Sequence, residues 1–230
     1  MAGDRSNYPR YNRLSEAGLQ RFLSLRRILI PCLYLSAVAL GGWLLTIFGE
    51  HLFGLEYSAT LYFGLFVSEL LVIGTTNVLF ALWVLAGTEN LCFLSARALR
   101  ISPLAAFLYV LIPLVQLGMA SYVLDQLVQR SKDDEARLTP WYGMKSESSV
   151  VNACYYLWAL GMSFWIIGIF YGLLAAFNGR STQLATICIA AGVFFGLLST
   201  FVGVKLVRTV EDLQKRRNPR GGMPEIGPVA

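Results

Sequence analysis

The stretch SPLAAFLYVLIPLVQLGMASYVLDQL, residues 102–127, decides the fold. A helix of about 25 residues would reach ~37 Å, more than the ~30 Å hydrocarbon core of a bilayer. Pro113 sits near its middle, however. A ring without an N–H that clashes with the preceding turn interrupts a helix. Whether the stretch crosses the membrane or returns to its own side fixes where every later segment lies.

The basic residues settle the choice. Six Lys and Arg precede Ile28, six lie between Arg97 and Lys145, and six follow from Lys205 onward, with Arg180 the one remaining. If residues 102–127 cross, these charges divide nine to ten across the membrane, which carries no orientation signal. If the stretch returns, they divide 18 to 1, the asymmetry that the positive-inside rule demands. Each arm on either side of Pro113 has about ten residues and reaches ~15 Å, half the hydrocarbon core. The sequence therefore predicts an all-α membrane protein with four transmembrane helices plus a re-entrant or interfacial helical hairpin over about 103–127. Ser102, Pro103, Ile112, Pro113 and Gln116 form or flank its turn. Both termini share one face, with Arg180 and His51 on the other.

The rest of the chain agrees with that frame. Of its 230 residues, 56% are hydrophobic and 14% charged, against about 25% charged in soluble domains. Uncharged runs exceed the roughly 18 residues that mark a span. The expected spans are 28–49, 60–86, 150–177 and 183–204. Together with the hairpin they make a membrane domain over 28–208, preceded by a polar tail (1–27) and followed by a basic tail (209–230). Within the first tail, Leu19, Phe22, Leu23 and Arg26 fall at helical spacing. They predict a short amphipathic helix on the membrane surface or a helical extension of the first span. Pro31 is expected in the first turn of that span, where its missing N–H loses no partner. Residues 1–27 lack the early apolar core of a cleaved leader.

The net charge of +5 does not point to nucleic acid, because the basic residues flank spans and serve orientation. Cys32, Cys92, Cys154 and Cys188 are scattered singly, without disulfide or zinc spacing. His51 stands between Glu50 and Glu56 and is expected as a solvated loop histidine. No metal or cofactor is expected. No GxSxG, HExxH or phosphate-binding loop occurs, so an enzyme is not expected.

Two sets of residues stand out inside the spans. Glu69 lies ~6 Å from the middle of the second span, with Thr76 and Asn77 two turns along the helix. An intramembrane acid faces a bundle interior or water, as a proton or cation site or as a hydrogen-bonding packing group. Trp83, at the end of the same span, is placed to anchor at the interface. In the last two spans Gly168 and Gly172, and Gly192 and Gly196, form two GxxxG pairs, the small-residue notches that let helices approach in lipid. Gly168 and Gly192 are each twelve residues from Arg180 and are expected at one depth.

The segment 83–131 resembles the bacterial membrane family called domain of unknown function 4328. The resemblance rests on Trp83, Asn90, Ser102-Pro103, Ile112-Pro113 and LVQLGMASYVLDQLVQRS, then VNACYYLWAL with Asn152, and the tail VKLVRTVEDLQ. It covers roughly residues 60–215. Gln116 stands where the family usually has Asn, and Ala120 where a second Pro is usual. The resemblance implies a multi-pass protein of a bacterial inner membrane with both termini cytoplasmic, and implies no activity. The expected role is a non-enzymatic structural, scaffold or assembly component of a membrane complex. The alternative is a small channel or a proton- or cation-coupled transporter using Glu69. The lipid bilayer is the certain partner, with other membrane subunits or self-association as further ones.

Overall fold

The computed structural model describes residues 9–54, 58–94, 101–132, 148–178 and 183–217. Among these residues there are six helices and no strand: α1 (Pro9–Phe53), α2 (Ala59–Leu94), α3 (Pro103–Leu111), α4 (Pro113–Lys132), α5 (Ser149–Asn178) and α6 (Gln183–Arg217). Four of them, α1, α2, α5 and α6, are long and apolar enough to cross a membrane.

The extension of the first span wins over a separate surface helix. α1 runs unbroken for 45 residues and carries Pro31 in its interior, not in its first turn. The apolar positions of residues 19–29 are taken up by protein instead of by a membrane surface. Phe22 and Leu29 are fully buried, and Phe22 stacks on Trp83 with centroids 5.3 Å apart. His51 belongs to the last turn of α1 instead of a loop. Likewise α6 continues to Arg217, so the first residues beyond 208 are helical. The charged run 133–147 and Arg180 lie outside the described residues.

The spans form an open arc in the order α2, α1, α6, α5. α1 packs on α2 and on α6, α6 packs on α5, and α2 and α5 at the two ends make no extended contact. α4 lies across the concave side and touches α2, α5 and α6, while α3 packs on α2 and α4.

The questioned stretch is two helices, and the sequence shows why. Ser102 caps α3, its Oγ accepting from Ala105 N at 3.2 Å, and Pro103 opens the helix. Ile112 then leaves helical geometry (φ −86°, ψ 114°), as a residue before proline prefers, and Pro113 opens α4. Proline in a first turn has no helical N–H to lose. Neither helix is among those long and apolar enough to span. Ala106 and Val110 of α3 belong to the same buried core as Tyr122, Val123, Leu127 and Val128 of α4. That core also holds Phe22 and Leu29 of α1, Trp83 and Leu91 of α2, Val151 of α5 and Val207 and Val210 of α6. It therefore marks one end of the bundle, here called the basal end, where α1 begins and α6 finishes. Both arms of the stretch pack there.

Candidate functional site

The concave side of the arc, above that core, encloses a cleft of about 410 Å³ between α2 and α5. α2 gives it a stripe at helical spacing: Phe66, Glu69, Ile73, Asn77 and Phe80. α5 answers with Tyr155, Trp158, Met162 and Trp165, which fall at i, i+3, i+7 and i+10 and so share one face. α1 and α6 form the floor with Ser36 and Thr200, and α4 enters from the basal side with Gln116, Ala120 and Leu124.

Among the described residues Glu69 is the only charged one lining this cleft. It is 5% exposed, and its carboxyl has no hydrogen bond or ion pair among the described residues. An acid in the membrane usually pairs with another group. Here the surroundings are deliberate in shape but give it nothing to hold. Gln116, 9% exposed, also lines the cleft, and its side-chain amide makes no hydrogen bond among the described residues. Thr76 behaves differently. Its Oγ1 meets Ser36 Oγ at 2.8 Å and donates to Val72 O at 2.8 Å, so it ties α2 to α1. Asn77 stands exposed at the cleft.

The sequence-predicted residues thus separate into groups. Glu69, Thr76, Asn77 and Gln116 come together, although Gln116 is far from the others in the chain. Ser102, Pro103 and Ile112 shape α3 and its end and are not among the residues lining the cleft, and Pro113 opens α4. Asn152 is half-buried near the start of α5. Trp83 does not anchor at an interface. It is fully buried between Phe22 and Phe80, because the extended α1 covers it.

Asn90 joins a polar cluster at the basal end. Its Nδ2 donates to Gln214 Oε1 at 3.4 Å, while Gln214 Nε2 donates to Gly87 O and to Ser131 Oγ, each at 3.2 Å. Ser131 Oγ in turn donates to Leu127 O at 2.5 Å. One turn before Gln214, the buried Glu211 pairs with Arg26 of α1 and with Lys215 at 2.6 Å. Three helices, α2, α4 and α6, are joined through one fully buried glutamine, and α1 is held by the ion pair beside it.

The glycines of α5 and α6 meet in another register than the one expected, Gly161 lying against Gly192 and Gly196. A Cβ on Gly192 would lie 2.9 Å from Trp165 N and 3.0 Å from Gly161 O. A Cβ on Gly168 would lie 2.7 Å from Ile189 Cγ1 and 3.1 Å from Ala185 O. Gly168 and Gly192 are therefore not opposite each other, as symmetry about Arg180 had suggested. Gly196 approaches Gly161 and Leu40, and Gly172 approaches Ala185 more loosely.

The aromatic face of α5 was missed in the sequence, though its spacing was there to be read. Ser36 had no such signal. Its partner Thr76 is 40 residues away.

The family model described as Domain of unknown function (DUF4328) matches residues 51–215, more than half of the chain, and the chain belongs to that family. No curated protein and no solved structure matches it.

Proposed function

We propose that this member of the DUF4328 family is a non-enzymatic carrier that takes up a positively charged solute at Glu69, in the cleft between α2 and α5. One observation carries the proposal: among the described residues the buried Glu69 carboxyl has no partner and is the only charge lining an otherwise mostly apolar cavity. An ionised acid at such a depth costs roughly 3 kcal/mol or more on insertion scales. A packing role would offset that cost with a hydrogen bond to a neighbouring helix, and Glu69 makes none among the described residues.

The scaffold role expected from the sequence has no comparable support, since no feature of the described surface selects a protein partner. A permanently open channel is disfavoured, because the basal core of Phe22, Trp83, Leu127 and Val207 is fully buried below the cleft. A carrier closed at one end fits that arrangement. With the basic segments at the basal end, the positive-inside rule puts that end, and both termini, in the cytoplasm of a bacterial inner membrane. α3 and α4 then form a hairpin that dips in from the cytoplasmic face without crossing. Such non-helical backbone at depth is tolerated where protein covers it.

The test is flux into liposomes holding the purified protein. Cation-driven flux above that of empty liposomes is expected, and Glu69→Gln should reduce it to background. Wild-type liposomes no leakier than empty ones, or a glutamine variant as active as wild type, would overturn the proposal.

A further inference from the structure

The walls of the cleft say more than its charge does. Five aromatic side chains line it: Phe66, Phe80, Tyr155, Trp158 and Trp165. They come from two helices that face each other across the open side of the arc. Aromatic faces carry negative electrostatic potential and attract cations, organic ammonium groups above all. A hydrated metal ion would need several oxygen ligands, charged ones above all, to replace its water shell, and among the described residues Glu69 is the one carboxylate that lines the cleft. Among the described residues no group of acids, histidines and cysteines is placed to hold a metal.

Size narrows the ligand further. At roughly 30 Å³ per heavy atom, the share of a water molecule in the liquid, about 410 Å³ holds on the order of a dozen heavy atoms. The entrance fits an apolar molecule as well. α2 and α5 make no extended contact, and Phe66 and Leu70, which line the cleft, are 43% and 58% exposed. A solute dissolved in the lipid can pass between them without crossing water.

We infer that the cleft is a binding site for a small lipophilic organic cation, an ammonium with an apolar or aromatic body, admitted sideways from the bilayer. Glu69 meets the positive charge and the aromatic residues of α2 and α5 enclose the body. This rests on the carrier proposal and specifies its substrate class.

The experiment uses benzyltrimethylammonium and its uncharged carbon counterpart neopentylbenzene, which has the same shape. Binding to the full chain in lipid nanodiscs is followed by tryptophan fluorescence and by saturation-transfer NMR. The ammonium is expected to bind more tightly than the neutral compound. Glu69→Gln should weaken the ammonium at least tenfold and leave the neutral compound within about twofold. Glu69→Asp, which keeps the charge, should recover part of the loss, and thermal melting of each variant reports whether it is folded. Equal binding of the two probes, or ammonium binding indifferent to Glu69→Gln, would overturn the organic-cation inference. Glu69-dependent flux of protons or metal ions together with no ammonium binding would overturn it too, and would leave the carrier proposal standing. Absence of both would remove the two together.

Discussion

Two regions of this molecule bury polar side chains, and they treat them in opposite ways. At the basal end Gln214 uses both ends of its amide, reaching Asn90, Gly87 and Ser131, and Glu211 is held by Arg26 and Lys215. In the cleft the side chains of Glu69 and Gln116 make no hydrogen bond among the described residues. Buried polar groups that are paired tie elements together, and unpaired ones cost free energy. The basal cluster therefore ties helices together, whereas under the proposed function the polar groups of the cleft wait for a ligand. Pairing is not complete at the basal end, where Trp83 Nε1 and the amide of Gln126 are buried without partners. Those orphans sit in a closed core, not beside an open cavity.

Substitution to leucine at each region breaks the comparison if it is wrong, and the larger effect belongs to the basal end. Gln214→Leu removes the hydrogen bonds to three partners and leaves Asn90 and Ser131 facing an apolar side chain. Each stranded buried group costs about 1–3 kcal/mol, so a loss of about 3 kcal/mol is expected in thermal or denaturant unfolding in detergent. A folded remnant should still bind the ammonium as wild type does. A Gln214→Leu protein as stable as wild type would show that the cluster does not hold the helices.

The next effect is smaller and has the reverse sign. Glu69→Leu replaces an unpaired acid in an apolar cleft, and replacing buried charges with apolar groups is often stabilising. A gain of about 1–2 kcal/mol is expected, with flux and ammonium binding lost. This is the trade of stability for function found where a site must stay unsatisfied until its ligand arrives. Destabilisation by Glu69→Leu would mean that Glu69 is packing glue after all.

The two regions were also unequally legible in the sequence. Glu69 announced itself, because an acid inside a long apolar run must serve either as a site or as a hydrogen-bonding packing group. The spans were equally plain, since their length is set by the bilayer. Trp83 was misplaced at the interface because its cover, Phe22, lies 61 residues earlier in a segment that α1 turned out to include. Gln214 and Glu211 sit in a charged tail that reads locally as solvated, and their partners are far away in the chain, 127 residues for Gly87 and further still for Arg26. The cleft itself depends on the order of helices around the arc. That order is fixed by which faces pack, and α2 and α5 could as well have closed on each other. Glycine spacing fixed the faces of α5 and α6 but not their register, which counting from the turn does not show.

The smallest effect expected is on stability, and the largest on topology, from labelling the stretch that opens the question of the fold. Ser131 is unsuited as a label site, since it is fully buried and accepts from Gln214. Lys132, one residue on, is exposed, as is Ser102 at the start of α3. Single cysteines at these two positions, with the native four replaced, should leave stability within about 0.5 kcal/mol of the parent, as exposed sites do. Phe53, 75% exposed at the far end of α1, supplies the reference for the opposite face. The basal core contains residues from both α3 and α4 together with the start of α1 and the end of α6. Both labels therefore belong on the basal face. An impermeant maleimide added to intact cells is expected to reach Phe53→Cys and neither Ser102→Cys nor Lys132→Cys, and to reach all three once the membrane is opened. Modification of Lys132→Cys but not Ser102→Cys in intact cells would make residues 103–132 a fifth span. The 18 to 1 division of charge would then fall to nine against ten, and the basal cluster could not lie on one side of the membrane.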